Sequence, residues 1–104
     1  MQLARVRGNV VASVKASGLA AHKLLLLEAV AAKDPLATTK PAAPSSALYV
    51  AIDLAGAGVG EVVLVTLGSA ARVDRDGQAA PTDAAVIAIL DSVLLDGEPT
   101  FVKR

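Results

Sequence analysis

Three glycines at alternate positions, Gly56-Ala57-Gly58-Val59-Gly60, are the first residues in this sequence whose type and spacing suggest chemistry. A dinucleotide-binding turn needs G-x-G-x-x-G between a strand and a helix, because the helix N-terminal amides hold the phosphates. Here the spacing is G-x-G-x-G, and the β-branched run Glu61-Val62-Val63-Leu64-Val65-Thr66-Leu67 that follows reads as strand. With no helix N-terminus to seat a phosphate, the glycines read as a tight turn that uses positive φ and close backbone approach. Ser69 lies in Gly-Ser-Ala-Ala-Arg, which lacks the G-x-S-x-G spacing of a nucleophile elbow. The sole histidine, His22, is placed at the exposed entry to the second strand, and only folding would bring it within reach of a serine. One histidine and no cysteine make a poor transition-metal set and rule out disulfides. Asp53, Glu61, Asp83 and Asp91 have the chemistry of general acids and bases. They read more simply as acceptors for turn amides or as partners of Arg72. No catalytic constellation, cofactor site or metal site emerges.

The elements that position these residues are short strands. Residues 3–15 alternate, with Ala4, Val6, Gly8, Val10, Ala12 and Val14 on one face and Arg5, Arg7, Asn9 and Lys15 on the other. That pattern is a half-buried antiparallel strand, closed by a turn at Ser17-Gly18. Lys23 to Val30 is apolar on both faces and is read as a second strand, although its propensities also suit a helix. Residues 33–47, with three prolines, form an exposed connection. Alternation returns at 48–54, with Leu48, Val50, Ile52 and Leu54 assigned inward and Tyr49, Ala51 and Asp53 outward. Ser69-Ala70-Ala71-Arg72 suffices for about one helical turn, and residues 74–81 form another loop. Thr82 to Leu95 is open between a capped helix and a strand; the hairpin signal Asp96-Gly97 favours the strand. The sum is a mainly β protein, a small five-stranded OB-like β-barrel with one or two short helical turns.

Composition agrees with a single domain over 1–104. The chain is 54% hydrophobic but only 2% aromatic, so Ala, Val, Leu and Ile must build the core. Each buries less area than an aromatic ring, and subunit association would make up the shortfall. Ten basic and ten acidic residues balance to zero, so nothing draws nucleic acid or an anionic membrane from a distance. Two aromatics are too few for the stacking platforms of a single-strand-binding OB module, the main rival reading. The N-terminus has Arg5 and Arg7 but no apolar run of signal-peptide type after them, and the run Ala84 to Leu90 is too short to span a bilayer.

Three ordered blocks then carry a resemblance. Asp53 to Val65, Gly68-Ser69-Ala70-Ala71-Arg72, and Pro81 to Asp91 together resemble the EutN/CcmL family of microcompartment vertex proteins. The opening Met1 to Val10 and the stretch from Gly18 to Leu25 resemble its first two strands, while the proline-rich 33–47 segment departs from it. The resemblance implies a cytoplasmic, non-enzymatic shell protein whose OB-like barrels form a homopentamer. That ring would cap the vertices of a polyhedral shell tiled by hexameric proteins, with no cofactor, nucleic acid or membrane partner. In that light Gly56, Ala57, Gly58, Gly60, Ser69 and Ala70 become candidates for loops at the five-fold opening. Arg72, Asp53, Asp83 and Glu61 become subunit-interface candidates, and strands 23–30 and 61–67 are candidates for burial in the ring.

Overall fold

A computed structural model describes residues 1–19, 21–36, 48–72 and 82–103. Five strands close into a barrel: β1 (Gln2–Val10), β2 (Lys23–Ala29), β3 (Leu48–Asp53), β4 (Val62–Leu67) and β5 (Ala84–Ile89). Their order around the barrel is β1-β2-β3-β5-β4, with β1 paired antiparallel to both β2 and β4. The β3–β5 contact, Ile52 opposite Ala85 and Asp53 opposite Val86, is the parallel one, and the remaining pairs are antiparallel. Two further strands, β6 (Ser92–Leu95) and β7 (Glu98–Val102), form a separate hairpin. Its Asp96-Gly97 turn holds both residues at positive φ, 52° and 80°, as a tight right-twisting hairpin requires. The segment Thr82–Leu95 therefore resolves as two strands, β5 in the barrel and β6 in the hairpin, where the sequence suggested one strand leading into the Asp96-Gly97 turn. Two 3-10 turns, Ser17–Leu19 and Gly68–Arg72, are the short helical elements among the described residues. Residues 37–47 of the proline-rich connection and the expected loop at 74–81 lie outside the described residues.

The interior is aliphatic. Ala4, Val6, Leu25, Leu27, Ala51, Val63, Val65 and Val86 are essentially inaccessible and pack together, with Tyr49 and Ile89 against them. A second cluster, Ile52, Ala71 and Ala85 with Leu19, Leu24 and Leu54, lies on the outside of the wall where the 3-10 turns cover it.

Two assignments of side-chain face change. In β1 the expected inward row Ala4, Val6, Gly8, Val10 breaks at a bulge between Val6 and Gly8. Val6 faces Leu27 in the core, but Gly8 stands opposite Leu26 and Val10 opposite Leu24. Residues directly opposite share a face, and Leu25 and Leu27 own the interior, so Gly8 and Val10 turn outward. One extra residue flips the phase. The strand also ends at Val10 instead of Lys15, because β2 begins at Lys23 and offers no partner farther on; Val11 and Val14 are about 90% exposed. In β3 the phase is reversed from expectation. Ala51 and Tyr49 pair with Leu25 and Leu27 and look inward, Val50 is 44% exposed, and Ile52 is buried on the outer side. Both faces of β3 are apolar, so alternation alone did not distinguish them.

Leu25 and Leu27 carry the most core volume, and truncating either leaves a cavity that a closed barrel cannot collapse. Leu27→Ala is expected to destabilise by about 2–5 kcal/mol, read as a lower urea midpoint at fixed protein concentration with the m-value unchanged.

Candidate functional site

The glycine turn between β3 and β4 holds the densest polar network among the described residues. Asp53, at the end of β3, is almost wholly covered, with a side chain 2% exposed. One of its oxygens accepts the amides of Ala55 and Gly56 at 3.0 and 2.9 Å, and the other accepts Ala57 N–H at 2.9 Å. Lys23 Nζ donates to the Ala57 carbonyl at 3.0 Å and stands 3.7 Å from the same carboxylate. Glu61 holds the other half of the turn, accepting Gly58 N–H at 2.7 Å on one oxygen and Lys103 Nζ at 2.7 Å on the other. Gly60 N–H donates to the Val6 carbonyl at 2.8 Å.

These bonds fix what the turn can do. Its amides from Ala55 to Gly58, the groups a phosphate would need, are all taken by the chain's own carboxylates. Gly56 and Gly60 sit at φ 83° and 93°, where a Cβ would be strained. Ala57 is fully buried with the barrel core residues, so the turn folds over the barrel end as a plug.

The remaining candidates are scattered. Ser69 is exposed on the 3-10 turn Gly68–Arg72, and Asp83 lines an open cavity of about 490 Å³ with Gln2, Tyr49, Val50, Leu67 and Ala84. The Asp83 and Asp91 carbonyls accept backbone amides from Gly68 and Lys103. The side chains of Ala70 and Arg72 lie outside the described residues, and with them the expected Arg72 bridge to Asp53 or Asp83. Both Asp53 oxygens are already engaged by amides and Lys23. His22 is half-buried just ahead of β2. Among the described residues no group of three or more His, Asp or Glu side chains is placed to hold a metal ion.

Several partners had no local signal. Lys103 reaches Glu61 across 42 positions of sequence, and Lys23 reaches Ala57 across 34. The Gln2 amide donates to the Tyr49 hydroxyl from the neighbouring end of β1. Burial raises the Tyr49 pKa and that hydrogen bond partly offsets it. Phe101 is 8% exposed, so both aromatics are committed to packing.

Known proteins resemble this chain in sequence and fold over most of its length. The family described as ethanolamine utilisation protein EutN/carboxysome matches residues 1–91. The chain belongs to this EutN/CcmL family. The microcompartment shell vertex protein PduN of Salmonella typhimurium is 45% identical over 93 residues, 89% of this chain and 98% of PduN. The solved structure of Gloeobacter violaceus CcmL superposes with a TM-score of 0.79 at 40% identity, covering 99% of this chain and 98% of CcmL. GrpN, a pentameric microcompartment shell protein from Rhodospirillum rubrum, superposes at 0.70 with 35% identity, covering 91% and 98%. In this family member the glycine turn is therefore a self-satisfied structural plug.

Removing the Asp53 carboxylate leaves the amide of the buried Ala57 without its acceptor, frees the exposed Ala55 and Gly56 amides to water and takes from Lys23 its neighbouring anion. Asp53→Ala is expected to cost about 1–3 kcal/mol, seen in urea unfolding, with faster amide exchange confined to residues 55–57. The Glu61 carboxyl is held below its ordinary value, first by the Lys103 hydrogen bond and then by the Gly58 amide. Its folded value lies under the unfolded one, so the tether contributes fully above the ordinary carboxylate range and is lost as pH falls through the folded value. A carbon-detected NMR titration should place the Glu61 midpoint below that of an unstructured glutamate, and Lys103→Ala should move it upward.

Proposed function

We propose that this chain is a structural shell protein of a bacterial microcompartment, whose copies close into a pentamer that caps a vertex of the polyhedral shell. The observation that carries this reading is the family match over nearly the whole chain, with a pentameric shell protein among its structural relatives. The function is geometric. A flat sheet of hexameric tiles cannot close, and five-fold units supply the missing curvature at the vertices. The protein resides in that shell, in the bacterial cytoplasm, and its immediate partners are its own copies and the surrounding hexameric shell proteins. Its role needs no turnover, and it is not an enzyme.

The physical form suits the role. A ring with five-fold symmetry uses head-to-tail contacts, so each subunit presents two different complementary patches. The outer wall retains Val50 and Ile87 at 44% and 36% exposure, surface that association would cover. The exposed Gly56, Gly60 and Ser69, with Gly58 and Ala70, are the loop residues we assign near the five-fold opening. Ala57 supports that loop from inside the barrel. Asp53 and Glu61 act on the ring indirectly, by holding the turn, while Asp83 and Arg72 are assigned to the seam. The rival reading, an OB-like module for single-stranded nucleic acid or a protein, has little support for its nucleic-acid form, since Phe101 is buried and Tyr49 alone makes no stacking platform.

Co-expression with hexameric shell proteins tests the role. Shells assembled with this chain should be closed polyhedra in electron micrographs, and those lacking it should be open or elongated. Equally closed shells without it would contradict the vertex role.

A further inference from the structure

Gly8 has no evident purpose within its own subunit. It lies in the interior of β1, where glycine weakens a strand and often marks the close approach of another backbone. Its φ is not in the left-handed region, so neither the backbone nor the adjacent bulge demands glycine. A Cβ built there would meet no heavy atom within 4 Å. Gly8 faces outward opposite Leu26, and Leu26 stands opposite the half-exposed Val50. The three lie side by side across β1, β2 and β3, an apolar row with no side chain at Gly8. Two cations flank it along β1. Arg7 bonds the buried Glu28 carboxylate at 3.1 Å, while Arg5, opposite Glu28 in register, keeps a buried Nε with no hydrogen-bond partner among the described residues. Among the described residues, two guanidinium groups on this edge of the wall face one carboxylate, an excess of positive charge.

The β6–β7 hairpin has the complementary character. Leu94 and Leu95 are 65% and 40% exposed, beside a turn whose Asp96 and Glu98 are exposed acids. Its tethers to the rest of the subunit run from Thr100 to the Ala32 carbonyl and from Lys103 to Glu61 and the Asp91 carbonyl. None of these anchors is on the Gly8–Leu26–Val50 wall.

We propose that the hairpin of one copy seats on this wall of the next, an inference that rests on pentameric assembly. Leu94, on one face of the hairpin, covers Gly8, Leu26 and Val50, and the Asp96–Glu98 turn lies toward Arg5 and Arg7. The two patches are different, apolar at the centre and opposite in charge at the edge, as a head-to-tail ring requires. The missing Cβ at Gly8 lets the neighbour's Leu94 reach the wall.

Two variants test the seam. Gly8→Leu adds a side chain into open space, so circular dichroism should report the wild-type fold. At a concentration where wild type is pentameric, native mass spectrometry should show G8L with at least a tenfold loss of pentamer. The second variant uses the absence of native cysteine. Val50→Cys combined with Leu94→Cys should, on oxidation, give covalent species from dimer to pentamer on non-reducing gels, reversed by reductant. A wild-type chain that is itself monomeric overturns pentameric assembly, and the seam with it. A pentameric wild type with folded, fully pentameric G8L overturns the seam alone. Should G8L misfold, the cysteine pair decides, and a monomer-only pattern from a pentameric double variant overturns the proposal.

Discussion

Closure of the barrel is the constraint on which the rest of the structure depends. β1 pairs with β2 on one edge and β4 on the other, and the short parallel contact between β3 and β5 completes the circuit. Closure satisfies the backbone and removes the free edges through which β-proteins commonly associate. Association must then use side chains on the outer wall and the hairpin that stands outside the barrel. An aliphatic interior with 2% aromatics yields modest burial per residue. A subunit of this kind gains from covering the apolar surface its wall still shows.

Closure also decides what the polar residues do. The barrel has an open end at β3, and Asp53 draws the glycine turn across it by accepting three consecutive amides. Glu61 and Lys103 fasten the far side of that turn to the last residues of the chain. The carboxylates and glycines that could suggest a phosphate site or an acid–base pair are spent on one another. Their chemistry is structural, in keeping with a protein whose work is shape.

Much of the fold was legible in the sequence because antiparallel strands write their period directly into it. The hairpin turn at Asp96-Gly97 and the turn at 56–60 follow from local chemistry, whereas the stretch that forms β5 was open between helix and strand and only the neighbouring hairpin signal favoured the strand. Strand phase was less legible. The bulge near Arg7 leaves no mark in composition, and it sends Gly8 and Val10 to the opposite face. In β3 both faces are apolar, one packed in the barrel and one under the 3-10 turns, so alternation could not orient Tyr49 and Ala51. Site residues divide similarly. Asp53 lies next to the amides it accepts, and its role as a turn acceptor was readable, whereas Lys23 and Lys103 meet their partners only through the fold. Arg5, Arg7 and Glu28 are brought together by register alone, and the opening motif gives no hint of their imbalance.

The central claim is that this barrel exists to form a five-fold ring. Native mass spectrometry of the purified wild-type chain across a dilution series tests it most directly. A five-fold ring gives one dominant species of five subunits that dissociates only at low concentration. A monomer at every concentration, or a dominant hexamer, would contradict it.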